Sequence, residues 1–204
     1  MLQPSINLLF PKTIITNELD RDFTIKELNA IDRHKNKITK SIGNSISHNK
    51  YILNDPEFSD LKQKCLEQLS EYIKIVYKPK NNITPYITQS WITFNNKGEF
   101  HHKHKHPNSF ISGVLYINAD ETKDKLAFHD DTYYQIQIEP SNYDSLNSLS
   151  WHIPVKTKKF IVFPSCMIHS VDYVESNKTR ICLGFNSFVH GILGSPDKVS
   201  ELIL

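Results

Sequence analysis

From Thr84 onward the chain breaks into short segments rich in β-branched and aromatic residues, with turn clusters roughly every ten residues. Candidate strands are 86–95, 99–105, 109–118, 124–130, 133–139, 151–155, 158–163, 167–174 and 178–190. Asn96-Lys97-Gly98 and Ser176-Asn177-Lys178 have the residue types of hairpin turns. Short strands in this number, after an N-terminal helical segment, predict a mainly β protein. Its expected architecture is a double-stranded β-helix, a jelly-roll or cupin-like barrel, with N-terminal helices packed outside.

The first 84 residues read differently. Leu8–Thr16 has the look of an early strand, and residues 24–36 of a short helix capped by Asp22 or Thr24. The stretch 40–54 is rich in Ser, Asn and Gly and is expected to loop. Asp55-Pro56-Glu57-Phe58 is a good helix start, and Leu61, Cys65, Leu69, Tyr72 and Val76 follow at helical spacing. This predicts a helix over about 56–77, ended by Lys78-Pro79-Lys80-Asn81-Asn82. With no internal repeat or linker, 1–204 reads as one domain. Its parts are an N-terminal strand and supporting helices (1–84), a double-stranded β-helix core (85–190) and a C-terminal tail (191–204).

Composition narrows the function classes. A net charge of +2 gives no strong field for nucleic acid or a membrane surface, so neither is an expected partner. The basic run at 101–106 is too short for a nucleic-acid stripe. Cys65, Cys166 and Cys182 are odd in number and scattered, which suits reduced thiols and a cytoplasmic location. The start Met1-Leu2-Gln3-Pro4-Ser5 lacks a basic region, and Pro4 and Pro11 interrupt its apolar stretch, so no signal peptide is expected.

The chemistry-bearing feature is His101-His102-Lys103-His104-Lys105-His106-Pro107, answered far along the chain by Phe163-Pro164-Ser165-Cys166-Met167-Ile168-His169. On a strand, residues two apart share a face, so His102, His104 and His106 are expected on one side and His101, Lys103 and Lys105 on the other. A His-x-His pair puts two imidazoles on one metal, and a strand distant in sequence must bring the third. His169, beyond the proline-marked turn, is placed for that. Three ligands on one side leave open positions opposite, as in non-haem Fe(II) oxygenases. A guanidinium downstream, Arg180, has the fork that a dicarboxylate's far end needs.

The combined pattern resembles a known group. It comprises Trp91, Asn95, Gly98, His104-Lys105-His106-Pro107-Asn108-Ser109 and Ser112-Gly113-Val114-Leu115-Tyr116. Ile161-Val162-Phe163-Pro164-Ser165, His169-Ser170-Val171, Arg180-Ile181 and Phe185-Asn186 complete it. Over residues 85–190 this is similar to the Fe(II)/2-oxoglutarate-dependent oxygenases of the prolyl-hydroxylase-like branch. The resemblance implies Fe(II) near His104, His106 and His169, and 2-oxoglutarate and O2 as cosubstrates. It implies Arg180 on the distal carboxylate, with Tyr116 and Ser112 as further cosubstrate contacts. The implied reaction hydroxylates a peptide side chain or small metabolite and releases succinate and CO2.

Two departures stand out. The group's usual His-x-Asp/Glu is His-x-His here, so the site is either three histidines or takes a carboxylate from elsewhere, with Asp130 and Asp131 the nearest. His102 is the substitute for one of the pair. The usual small hydroxyl residue two after the arginine is Cys182. Competing readings are a cupin-like three-histidine dioxygenase or isomerase that does not use 2-oxoglutarate, and a non-catalytic barrel. Simpler roles compete residue by residue: Arg180 in an ion pair with Glu175 or Asp172, Tyr116 as core, Ser112 as a turn hydroxyl, and Trp91 and Asn95 as packing and turn residues rather than an entrance.

Overall fold

The computed structural model describes residues 5–132, 136 and 138–204. The expected strand 133–139 falls largely outside the described residues, as does the Met1–Pro4 start.

Two helices precede the barrel. Helix α1 (Ile25–Lys35) begins at Thr24, whose hydroxyl accepts from the Glu27 N–H while the Glu27 carboxylate accepts from the Thr24 N–H, a complete capping box. The buried Glu27 also pairs with Arg21, which reaches on to Asp60 of the second helix. Helix α2 (Ser59–Tyr72) follows a single 3-10 turn at Pro56–Phe58 and continues as a π turn to Tyr77. Leu61, Cys65, Leu69 and Tyr72, the expected stripe, are completely buried. Asp55 does not cap it with its side chain; that carboxylate accepts from His34 and Asn49 instead. Lys78 in the left-handed region ends the segment.

Beside two further 3-10 turns at Ile52–Asn54 and Pro196–Lys198, twelve strands are described. They are β1 (Ile15–Glu18), β2 (Ile38–Lys40), β3 (Ser45–Ser47), β4 (Ile83–Asn95), β5 (His101–His104), β6 (Ile111–Asn118), β7 (Lys125–His129), β8 (Ser150–Pro154), β9 (Lys159–Pro164), β10 (Ile168–Val171), β11 (Arg180–Leu193) and β12 (Leu202–Ile203). The major sheet runs β1-β9-β6-β11-β4-β3-β2, with β12 paired to β11, and the minor sheet runs β5-β10-β7-β8. All ladders are antiparallel. This is the expected double-stranded β-helix.

The major sheet is buried on both faces. Ile111, Leu115 and Ile117 of β6, Phe160 and Val162 of β9, and Leu183 and Phe185 of β11 pack against α1 and α2. Their neighbours Val114, Tyr116, Ile161, Phe163 and Cys182 point the other way and meet Leu126, Phe128 and Val171 of the minor sheet. Period-two alternation thus serves two cores, one under the helices and one between the sheets.

Two expectations at the periphery are corrected. Leu8, Leu9 and Phe10 are exposed coil, and the first strand begins only after Pro11, which cannot donate to a ladder. The 40–54 stretch is not all loop: β2 and β3 form a hairpin on the β4 edge. Its turn uses Gly43 at φ +84°, packed so closely under Phe100 that a side chain there would strike the ring. The C-terminal tail folds back as β12 on the end of β11. Among the described residues no helix is long and apolar enough to cross a membrane.

Candidate active site

The site lies between the sheets, where β5 and β10 meet. His104 and His169 are direct cross-strand partners. His106 stands two residues past His104, with its N–H donating to the Ser165 carbonyl at 3.0 Å, so the chain turns inward there. One ring nitrogen from each of His104, His106 and His169 lies within 4.8 Å of the others. Phe163 packs edge-on against His169 with a centroid separation of 4.8 Å, and Phe128 closes the hydrophobic floor.

The other nitrogen of each ring is committed. Nδ1 of His104 donates to the His102 carbonyl at 2.8 Å, and Nδ1 of His169 to the Met167 carbonyl at 3.0 Å. Nδ1 of His106 meets the Ser112 hydroxyl at 2.7 Å. Ser112 in turn donates to the Asn186 side-chain oxygen at 2.9 Å and touches Ser165, which donates to Ser109. With Nδ1 protonated and bonded, Nε2 of each ring carries the free lone pair. This is how outer partners fix the tautomer of a metal-binding imidazole.

Burial holds the rings neutral. Desolvation first, then the neighbouring imidazoles, pushes His169 down to about 2; desolvation and then His104 push His106 down to about 4. His104 is lowered mainly by burial as well. Near neutral pH the centre therefore presents three uncharged nitrogen donors, the form that binds a divalent transition metal. The donor set fits Fe(II).

No carboxylate joins this group among the described residues. Asp131 pairs with Lys12 and Lys105, and Asp130 with Lys12, so neither expected substitute reaches the centre. His102 is exposed. The face expected for it is taken by His101, because the β5–β10 register slips between His101–Val171 and His104–His169. Three residues of β5 then span two of β10, a bulge that puts His101 and His104 on one side. The rings of His101 and His104 stack with centroids 4.3 Å apart, and His101 lines the cavity.

Across the same cavity stands Arg180, the first residue of β11, only 1% exposed. Its neighbours are neutral: Nη2 donates to the Tyr116 hydroxyl at 3.1 Å and Nη1 to the Asn95 side-chain oxygen at 3.4 Å, with Cys182 Sγ at 3.9 Å. Nε has no partner. Arg180 is therefore not in the surface ion pair weighed for it: it is buried, its bonds go to Tyr116, Asn95 and Cys182, and Asp172 bonds His152. Burial keeps the Tyr116 phenol protonated, so its hydrogen remains available to a further acceptor. A buried cation with no carboxylate in hydrogen-bond contact and an orphaned N–H is what a dicarboxylate's far end would complete.

Ser112 does not reach the Arg180 end. Its hydroxyl lies behind His106, so its contact is with a candidate ligand rather than with a cosubstrate. Asn95 is fully buried beside Arg180. Trp91 lines the cavity and meets His106 edge-on at 5.6 Å, and it lies so close over Gly184 that a Cβ there would come within 2.9 Å of the indole. His101 and the Ser112–Asn186–Ser165 network are what sequence reasoning missed. A bulge and a side-chain network leave no period in the sequence.

A double-stranded β-helix with a metal-ready cluster facing a buried arginine defines a class, the Fe(II)- and 2-oxoglutarate-dependent oxygenases. The family model described as "Putative 2OG-Fe(II) oxygenase" matches residues 89–186, the segment that carries the histidines, Arg180 and Tyr116. That segment is similar to these oxygenases, a family that uses Fe(II), 2-oxoglutarate and O2. No curated protein sequence matches the chain significantly.

Solved structures share the fold at low identity. HygX from Streptomyces hygroscopicus, solved with nickel, 2-oxoglutarate and hygromycin B, superposes with a TM-score of 0.59 at 9% identity, covering 86% of this chain and 82% of its own. A Pseudomonas putida prolyl-4-hydroxylase gives 0.54 at 14% identity, covering 86% and 92%. A prolyl hydroxylase from Trichoplax adhaerens, in complex with a hypoxia inducible factor peptide fragment, gives 0.58 at 13% identity, covering 86% and 82%.

Replacing Ser112 with Ala is expected to lower metal affinity about 10- to 100-fold without unfolding the protein, because His106 loses the partner that fixes its tautomer. Competition for Fe(II) against a chromophoric chelator measures it. An unchanged affinity would deny Ser112 that role.

Proposed function

We propose that this protein hydroxylates a C–H bond of a peptide side chain or a small metabolite, with 2-oxoglutarate and O2 converted to succinate and CO2. His104, His106 and His169 hold the iron through Nε2. Arg180 and Tyr116 grip the distal carboxylate of 2-oxoglutarate, Arg180 with its charge and Tyr116 with its hydroxyl hydrogen. When bound, the iron with 2-oxoglutarate supplies the oxidising power. The protein's own groups orient and enclose: Ser112, with Asn186 behind it, fixes His106; Asn95 steadies Arg180; Phe163, Phe128 and Trp91 keep water from the walls. The three free thiols, Cys65, Cys166 and Cys182, favour a cytoplasmic setting.

One observation carries the reading. Three neutral imidazoles with their outer nitrogens already engaged share a cavity with a buried guanidinium that has no carboxylate in hydrogen-bond contact. A second reading, a three-histidine centre that does not use 2-oxoglutarate, is favoured by the lack of any carboxylate in the histidine group among the described residues.

Anaerobic titration with Fe(II) and then 2-oxoglutarate separates the two. The expected result is a visible charge-transfer band in the wild type and, in His104→Ala, iron binding weakened at least about 100-fold, since a ligand is lost outright. Iron binding without a band would favour the second reading. No iron binding would overturn both.

A further inference from the structure

His104 belongs to two clusters. The inner one is completed by His106 and His169; the outer one by His101 and His102, again with one ring nitrogen each within 4.8 Å. The outer rings lie close together: His101 and His104 stack at 4.3 Å, His101 and His102 stand at 5.3 Å, and His102 and His104 at 5.4 Å. The bulge in β5 brings this about, since in a regular strand His101 and His102 would point to opposite faces.

Exposure differs along the series. His102 is exposed, His101 and His104 are half-buried, and His169 is buried. Exposure thus falls from His102, through His101 and His104, to His169. Because the His102 carbonyl holds Nδ1 of His104, His104 has one nitrogen to give and can serve only one cluster at a time.

We propose that His101, His102 and His104 form an outer binding position for a divalent transition metal, exclusive of the inner one and used on the way to it. The ligand class is set by the donors, three imidazoles with no carboxylate, which favour a borderline metal over magnesium or calcium. The outer position is the weaker. It is open to water, since His102 is exposed. An ion captured there needs only His104 as a pivot to pass to His106 and His169. The inference rests on the proposed inner centre through the shared His104.

The test uses apo-protein and Zn(II), competed against a chromophoric chelator, in wild type, His102→Ala, His169→Ala and the double variant. His102→Ala is expected to match the wild type within about twofold, and His169→Ala to bind one zinc about 100-fold more weakly. The double variant is expected to lose at least another tenfold or so. If His169→Ala does not fold, as judged by circular dichroism, His169→Gln replaces it. A His169 variant that binds no zinc, or whose residual binding ignores His102, overturns the outer position and leaves the proposed function standing. A His102→Ala loss as large as that of His169→Ala would make His102 an inner ligand and overturn it too. Failure of the wild type to bind zinc would overturn both.

Discussion

Arg180→Met is expected to weaken 2-oxoglutarate binding by roughly 100-fold or more and, in the same protein, to raise the melting temperature of the apo form. Each hydrogen bond from a charged donor is worth about 1.5–3 kcal/mol. Two of them lost from a carboxylate correspond to about two to four orders of magnitude in affinity. The apo protein keeps Arg180 buried among Tyr116, Asn95 and Cys182, with no carboxylate in hydrogen-bond contact and Nε unpartnered. Replacing a buried ion pair with hydrophobic side chains of similar volume is commonly neutral to stabilising by about 1–4 kcal/mol, and a buried charge with no bonded carboxylate has still less attraction to lose. For a chain of this length each kcal/mol moves the midpoint by about 2–4 °C. Arg180→Lys is not expected to restore binding, because an ammonium cannot fork. Titration of the Fe(II) form with 2-oxoglutarate and a melting curve of the apo form read both effects. A Met variant that melts lower would mark Arg180 as a structural residue, and one that still binds 2-oxoglutarate normally would remove it from the clamp.

The second large effect is acid lability of the apo protein. In the folded state burial, with the surrounding imidazoles, holds His101 near 3, His106 near 4 and His169 near 2. In the unfolded chain the same residues titrate near 6.5. Below about pH 6.5 the unfolded chain takes up protons that the folded one refuses, so unfolding gains as pH falls. The stability tied to the neutral rings is fully present above that pH and is lost as pH falls, down to about 4 for His106, about 3 for His101 and about 2 for His169. The slope is at most about 1.4 kcal/mol per pH unit for each histidine, or about 4 for the three. Against a typical total of about 5–15 kcal/mol, the loss over two pH units is a large fraction of the stability of the apo form. Urea unfolding of apo-protein at pH 8, 6.5, 5.5 and 5 measures the slope. A stability flat over that range would mean that the rings take up protons as readily in the folded state as in the unfolded chain.

What the sequence disclosed and what it concealed divide along physical lines. The Thr24 cap, the Leu61–Cys65–Leu69–Tyr72 stripe and the later strands are local or periodic patterns, and the fold follows them. The β2–β3 hairpin was hidden because its Ser, Asn and Gly residues pair only with the help of the β4 edge and the Phe100 ring over Gly43. Leu8, Leu9 and Phe10 misled in the other direction, as apolar residues with nothing to pack on. At the site, His104, His106, His169, Arg180 and Tyr116 could be named from spacing and resemblance, and they line one cavity. His101 could not, since the bulge that turns it inward breaks the period on which strand reading depends. Nor could the contact of Ser112 with His106, which depends on where the turn before β6 places a ring.

Because β6, β9 and β11 are covered on both faces, residue parity along these strands acts as an address. On β11, Leu183 and Phe185 answer to the helices, while Arg180, Cys182, Gly184 and Asn186 answer to the chamber between the sheets. On β6, Gly113 yields its space to the Phe185 ring, yet its neighbours Ser112 and Val114 look into the chamber. Selection for a new substrate and selection for a sturdier fold therefore act on interleaved residues of one strand, and the two can drift apart without the backbone changing course.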